Sequence, residues 1–160
     1  MPAASQRPNQ RSWTCSDLAH TEALAAALGR LLAMGDSVWL RGELGAGKTA
    51  FVRAACAALG VVTAVTSPTY TVGNRYHAPG GAVAHLDLYR SHGLTLEEWI
   101  DLEPYFDDAI AFVEWPDAGA GLLPPPRVVV EIEFQPGDAR LITLSCDDHT
   151  LLDALAAALA

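Results

Sequence analysis

Residues 42–49 read Gly-Glu-Leu-Gly-Ala-Gly-Lys-Thr, a full match to the pattern G-x-x-x-x-G-K-[ST]. Lys48 within it is the only lysine of the 160-residue chain, and the other permanent cations are nine arginines. A compact ammonium is therefore used at one place only. Ser37-Val38-Trp39-Leu40 reads as a short strand before the loop. After the loop, Val52, Ala55, Cys56 and Leu59 recur at helical spacing until Gly60. Strand, glycine-rich loop and helix in this order predict a phosphate-binding loop. Backbone N–H groups of the turn converge on an anion, the helix adds the positive end of its dipole, and Lys48 reaches β- and γ-phosphates as a point charge. Glu43, Leu44, Gly45, Ala46, Gly47, Lys48, Thr49 and Ala50 are the expected nucleotide-binding residues, and Thr49 offers its hydroxyl to Mg²⁺.

The length is that of one domain with a sizeable core. Residues 13–160 are expected to form it, and the polar stretch 1–12, with Pro2, Arg7, Pro8 and Arg11, to be a disordered tail without the apolar centre of a signal peptide. Apolar residues make up 51% of the chain, yet no uninterrupted run approaches the roughly 20 needed to span a bilayer. Cys15, Cys56 and Cys146 are odd in number, far apart and outside any C-x-x-C pattern, so buried reduced thiols in a cytoplasmic protein are expected. A net charge of −9 with scattered arginines argues against a nucleic-acid surface of the chain's own.

Ser16 is the expected cap of a helix whose apolar face is Leu18, Leu24, Ala25, Leu28, Leu31 and Leu32, closed near Gly35. Residues 66–76 read as an extended or loop segment, with Pro68 biasing Ser67 away from helix. Ala82–Leu86 is a predicted core strand ending on Asp87, and Thr95 the cap of a short helix. Ala109–Val113 has the pattern of a strand buried on both faces and ends on Glu114 before Pro116 breaks it. Residues 127–134 and 140–146 alternate around a turn at 135–138 as an antiparallel hairpin, and a last helix capped near Asp148 carries Leu151, Leu152, Leu155 and Leu159. The sum is a P-loop NTPase-like three-layer α/β sandwich. Its central sheet is expected to be mostly parallel, with the C-terminal hairpin extending one edge.

In such sheets ligands bind beyond the carboxyl ends of the strands. The loop at Gly42 and the acids Asp87 and Glu114 fall there together. A Mg²⁺-phosphate site needs one carboxylate to hold the metal directly or through water, and another group to orient the attacking water. Glu114 is read as the metal-side acid and Asp87 as the water-side acid, with exchange of the two roles left open; with Lys48 they form the catalytic set. Trp115 reads either as core packing at a strand end or as a contact to nucleotide or partner. His85 reads as a satisfied strand histidine, and His20, His77, His92 and His149 as surface groups.

Four blocks, Gly42–Thr49, Ser67-Pro68-Thr69-Tyr70, His85-Leu86-Asp87-Leu88-Tyr89-Arg90 and Val113-Glu114-Trp115-Pro116, stand in an order that resembles the signature of the TsaE (YjeE) family of bacterial ATPases in tRNA threonylcarbamoyladenosine synthesis. The resemblance runs from about Leu18 to the C-terminal helix. It implies an ATPase that joins TsaB and TsaD, the proteins that transfer a threonylcarbamoyl group to adenosine 37 of tRNA, with tRNA met only through that complex. It further implies that Thr49, Asp87 and Glu114 serve nucleotide turnover and that Thr69, beside Ser67, is a switch residue sensing γ-phosphate and Mg²⁺. Thr71-Val72-Gly73-Asn74 and Asp101 depart from the usual pattern.

Two other functions remain open on the residues. One is a nucleotide-gated binding module in which ATP orders residues 66–76 and hydrolysis is incidental. The other is a small-molecule kinase, although no arginine-rich lid stands out. The guanine-reading N-K-x-D pattern needs a second lysine, so ATP is expected over GTP.

Overall fold

The structure is a computed structural model that describes residues 8–68 and 72–160. Its strands are β1 (Asn9–Cys15), β2 (Ser37–Gly42), β3 (Gly73–Ala78), β4 (Gly81–Asp87), β5 (Ala109–Glu114), β6 (Val128–Phe134) and β7 (Arg140–Cys146). Helices α1 (Leu18–Leu31), α2 (Lys48–Ala58), α3 (Leu96–Leu102) and α4 (His149–Ala158) join them, with short 3₁₀ turns at Glu103–Phe106 and Pro116–Gly119. All seven strands share one sheet in the order β1-β7-β6-β2-β5-β4-β3.

β5 lies inside the sheet beside the central β2, and every residue of Ala-Ile-Ala-Phe-Val-Glu is buried, as a strand covered on both faces requires. It pairs in parallel with β2 and with β4, and β2 pairs in parallel with β6. The expected hairpin of β6 and β7 is present, but antiparallel strands flank the parallel centre on both sides: β3 pairs with β4, and β1 with β7.

One expectation needs correction. Residues 9–12 are not a disordered tail but the start of β1, whose backbone completes the β7 ladder from Asn9 opposite Cys146 to Cys15 opposite Arg140. Its side chains hid it, since only Cys15 is buried and Trp13 half-buried. The end of the segment read as extended or loop, Gly73–Tyr76, is extended and belongs to β3, an edge strand whose exposed positions alternate with covered ones. Residues 1–7 and 69–71, among them Thr69, lie outside the described residues.

One face of the sheet is covered by α1, α2 and α4, where Leu24, Leu28, Phe51, Val52 and Leu155 pack on Val38, Leu40, Ile110, Phe112, Val130 and Ile132. The other face is covered more thinly by α3 and the 3₁₀ turns, which bring Leu102, Trp99 and Phe106 onto Ala84, Leu86, Ala111 and Val113. These are the three layers. α1 is capped by Asp17 and not by Ser16: the Asp17 carboxylate accepts the His20 backbone N–H at 2.9 Å, while the Ser16 hydroxyl, one residue too early, meets the His20 ring. Thr95 and Glu98 form a full capping box on α3, and Asp148 caps α4. All three cysteines are free and buried, and burial pushes the Cys56 thiol up to about 12.

α1 and α2 meet through Gly29. A β-carbon there would lie 2.9 Å from the Ala55 carbonyl oxygen, closer than packing allows. Helix propensity favours Gly29→Ala by about 1 kcal/mol, whereas overpacking against rigid backbone costs about 1–3 kcal/mol. The variant is expected to be less stable by urea titration; a gain in midpoint would contradict the close α1–α2 approach.

Candidate functional site

The carboxyl ends of β2, β4 and β5 open on one cleft. β2 runs into the loop, where Gly42, Gly45 and Gly47 hold φ of 154°, 79° and 113°. A β-carbon on Gly42 would also meet the Ile132 carbonyl oxygen at 2.7 Å, so this turn needs glycine on two counts. Gly47 caps α2 with no side chain, which leaves the first N–H groups of that helix, from Lys48 onward, directed at the loop. The loop is braced by Arg140, the first residue of β7, whose Nε donates to the Ala46 carbonyl at 2.9 Å. Sequence reading missed Arg140, because nothing local to β7 signals a partner 94 residues away.

Lys48 is only 4% exposed. Its ammonium donates to the carbonyls of Gly42 at 2.7 Å and Glu43 at 2.9 Å. Nζ also stands 4.2 Å from the centre of the Trp115 ring. Burial pushes the ammonium below its ordinary range, while the Glu114 and Asp87 carboxylates pull it back up. Trp115 is therefore more than core packing at a strand end. It is held in the left-handed region at φ 56°, ψ 51°, where a bulky residue is strained, and its ring also tilts against Tyr89 at 4.9 Å. The strained turn aims an aromatic face at the one ammonium.

Parallel pairing sets Asp87 directly opposite Glu114. Their surroundings differ. Glu114 is buried at 3% exposure, and its Oε1 accepts both the Thr49 hydroxyl at 2.9 Å and His85 Nε2 at 2.7 Å. Asp87 is half-buried: Oδ1 accepts the Tyr89 backbone N–H at 2.9 Å, and Oδ2 the Ser67 hydroxyl at 3.4 Å. Glu114 is thus tied to the helix that follows the loop, and Asp87 to the segment around Ser67. His85 departs from the expected satisfied strand histidine, since its Nδ1 is buried without a partner. The other four histidines are exposed.

Leu44, Gly45, Gly47, Lys48, Thr49, Ala50, Ser67, Asp87, Tyr89, Glu114 and Trp115 line a cleft of about 220 Å³. It continues into a groove of about 770 Å³ running past Pro68, Val72, Arg90, Leu94, Glu98 and Asp101. A small cleft lined by converging amide groups, one ammonium, the Thr49 hydroxyl and two carboxylates suits an anion that arrives with a cation. Among the described residues no cluster of three or more His, Cys, Asp or Glu side chains is placed to hold a metal by itself. Among the described residues no helix is long and apolar enough to cross a membrane.

A strand, a left-handed glycine loop and a helix bearing one buried lysine, backed by acids on neighbouring parallel strands, define an α/β protein of the P-loop type. The family profile described as "Threonylcarbamoyl adenosine biosynthesis protein TsaE" matches residues 15–142. Curated relatives bear the name tRNA threonylcarbamoyladenosine biosynthesis protein TsaE. The one from Haemophilus influenzae is 39% identical over 67% of this chain and 68% of its own length. That of Streptomyces coelicolor is 40% identical over 72% and 80%, and that of Bacillus subtilis 31% identical over 85% of each. The crystal structure of Bacillus subtilis YdiB superposes with a TM-score of 0.80 at 27% identity, covering 96% of this chain and 98% of that one. The chain belongs to the TsaE family and to its role in threonylcarbamoyladenosine biosynthesis.

The Lys48–Trp115 contact has an optical consequence. Without any ligand, Lys48→Met is expected to change tryptophan emission, and the change is expected to vanish when the same substitution is made in a Trp115→Phe background. An equal change in both backgrounds would place the ammonium away from that ring.

Proposed function

We propose that this chain is the ATP-binding and ATP-hydrolysing subunit required for threonylcarbamoyl modification of adenosine 37 of tRNA, acting on a TsaB–TsaD complex and not transferring the group itself. The observation that carries the reading is the convergence of Lys48, Thr49, Asp87 and Glu114 in one cleft at the carboxyl edge of the parallel strands. The family role supplies the pathway.

In this reading the loop amides and the start of α2 cradle the phosphates, and Lys48 exchanges the Gly42 and Glu43 carbonyls for β- and γ-phosphate oxygens. That exchange is favourable because a partly desolvated ammonium gains full anionic partners in place of neutral carbonyls. The donor set fits Mg²⁺ carried in by the nucleotide: Thr49 gives its hydroxyl proton to Glu114, which leaves the oxygen lone pairs free for a cation. Mg²⁺ in such sites keeps waters and phosphate oxygens and takes few protein ligands. When bound it neutralises the charge on the phosphates. Asp87, half-buried beside Glu114 on the neighbouring strand, orients the attacking water and accepts its proton.

Among the described residues Lys48 is the only cation lining the small cleft, and Arg90 lies out in the larger groove, exposed. No arginine among the described residues stands ready to neutralise transition-state charge, so turnover is slow until TsaB and TsaD join. In this reading Ser67 and Trp115, at the cleft, couple nucleotide state to the complex; the family resemblance implies the same duty for Thr69, which lies outside the described residues.

ATP hydrolysis by wild type is expected to be slow alone and to rise when TsaB and TsaD are added. Lys48→Ala is expected to lose it by about 100-fold or more under both conditions. Equal wild-type rates with and without the partners would contradict the proposal. A Glu114→Gln protein that binds ATP yet sustains repeated rounds of tRNA modification would show nucleotide gating without hydrolysis.

A further inference from the structure

Glu114 is held from behind by a residue whose burial has no apolar justification. His85 sits on β4, on the sheet face shared with Glu114, at 0% exposure. A leucine there would leave no ring nitrogen orphaned, but it would take a donor from the buried Glu114 carboxylate. The ring is spent on one bond, Nε2 to Glu114 Oε1 at 2.7 Å, with Nδ1 buried and unpartnered. The bonding pattern assigns the proton. A carboxylate only accepts, so the hydrogen stands on Nε2, and the bare lone pair at Nδ1 is less costly than an orphaned N–H would be.

The same Oε1 also accepts the Thr49 hydroxyl. Two donors from two elements, β4 and α2, therefore meet on a single oxygen of a residue from β5. The carboxylate cannot rotate without breaking both bonds, and Oε2 is the oxygen outside them.

We propose that His85 is a positioning residue for the cation end of the site: its Nε2–H locks the Glu114 carboxylate so that the Thr49 proton is drawn off and the Thr49 oxygen and Glu114 Oε2 together receive Mg²⁺ or its hydrating water. The proposal rests on the nucleotide reading above. Groups that orient a ligand from outside its coordination sphere are worth about 10–100-fold in metal affinity. His85 touches neither phosphate nor metal; its effect passes entirely through Glu114.

The test has two arms. In ligand-free, ¹⁵N-labelled wild type, the His85 Nε2–H is expected as a slowly exchanging ring resonance that shifts in Glu114→Gln and Thr49→Val but not in Asp87→Asn. This arm needs neither metal nor nucleotide, so it stands even if the chain binds no ATP, and it needs no His85 variant to fold. A proton found on Nδ1, or a resonance indifferent to Glu114→Gln, would overturn the assignment. In the second arm, Mn²⁺ affinity of the ADP complex is read by electron paramagnetic resonance. His85→Leu is expected to weaken it by about 10–100-fold with metal-free ADP binding unchanged, and His85→Gln, whose side-chain amide donates at similar reach, to restore most of it. Wild-type Mn²⁺ affinity in His85→Leu, or a Gln variant no better than Leu, would make His85 merely structural.

Discussion

Parallel pairing of β5 with β2 on one side and β4 on the other is the constraint from which the site follows. Parallel strands end together, so the residues that close β2, β4 and β5 are brought to one edge without any further device. Gly42 starts the loop there, and Asp87 and Glu114 fall opposite each other. Had β4 joined β5 antiparallel, its acid would lie at the far end of the sheet. The cost of this arrangement is a centre that must be covered on both faces, which is why β5 is buried throughout and needs α1 and α2 on one side and α3 with its 3₁₀ turns on the other.

The two acids share a position in the register and differ in everything around it. Glu114 is sealed in, fixed by Thr49 and His85. Asp87 is partly open and bonded to backbone and to Ser67. A fixed carboxylate suits a cation that must be met in one geometry; a more accessible one suits a water that comes and goes. Carbonyls and the Trp115 ring satisfy the Lys48 ammonium and keep it aimed at the loop, where the proposed reading has phosphate oxygens replace the carbonyls. The strained φ of Trp115 is consistent with that duty, being a conformation that packing alone has no reason to impose.

Much of this was legible in the residues because it is local. The loop pattern is contiguous, β5 announces itself as an unbroken apolar run closed by Glu114, and the β6–β7 hairpin shows its alternation and its turn. What escaped is long-range. β1 is polar and mostly exposed, and only its ladder with β7, at the opposite end of the chain, makes it a strand. Arg140 reads as one more scattered arginine until the fold lays it beside Ala46. His85 sits within a recognisable block, yet its orphaned nitrogen and its bond to Glu114 exist only once β4 and β5 are in register.

In the proposed reading one ammonium, one hydroxyl and two carboxylates at this sheet edge make a seat for magnesium-bound ATP, and calorimetric titration of Mg·ATP into the purified chain measures whether they do. Saturable binding at a single site, weakened by chelation of the metal and lost in Lys48→Ala, is the expected result. A chain that takes up no Mg·ATP at millimolar concentration, while remaining folded, would contradict it.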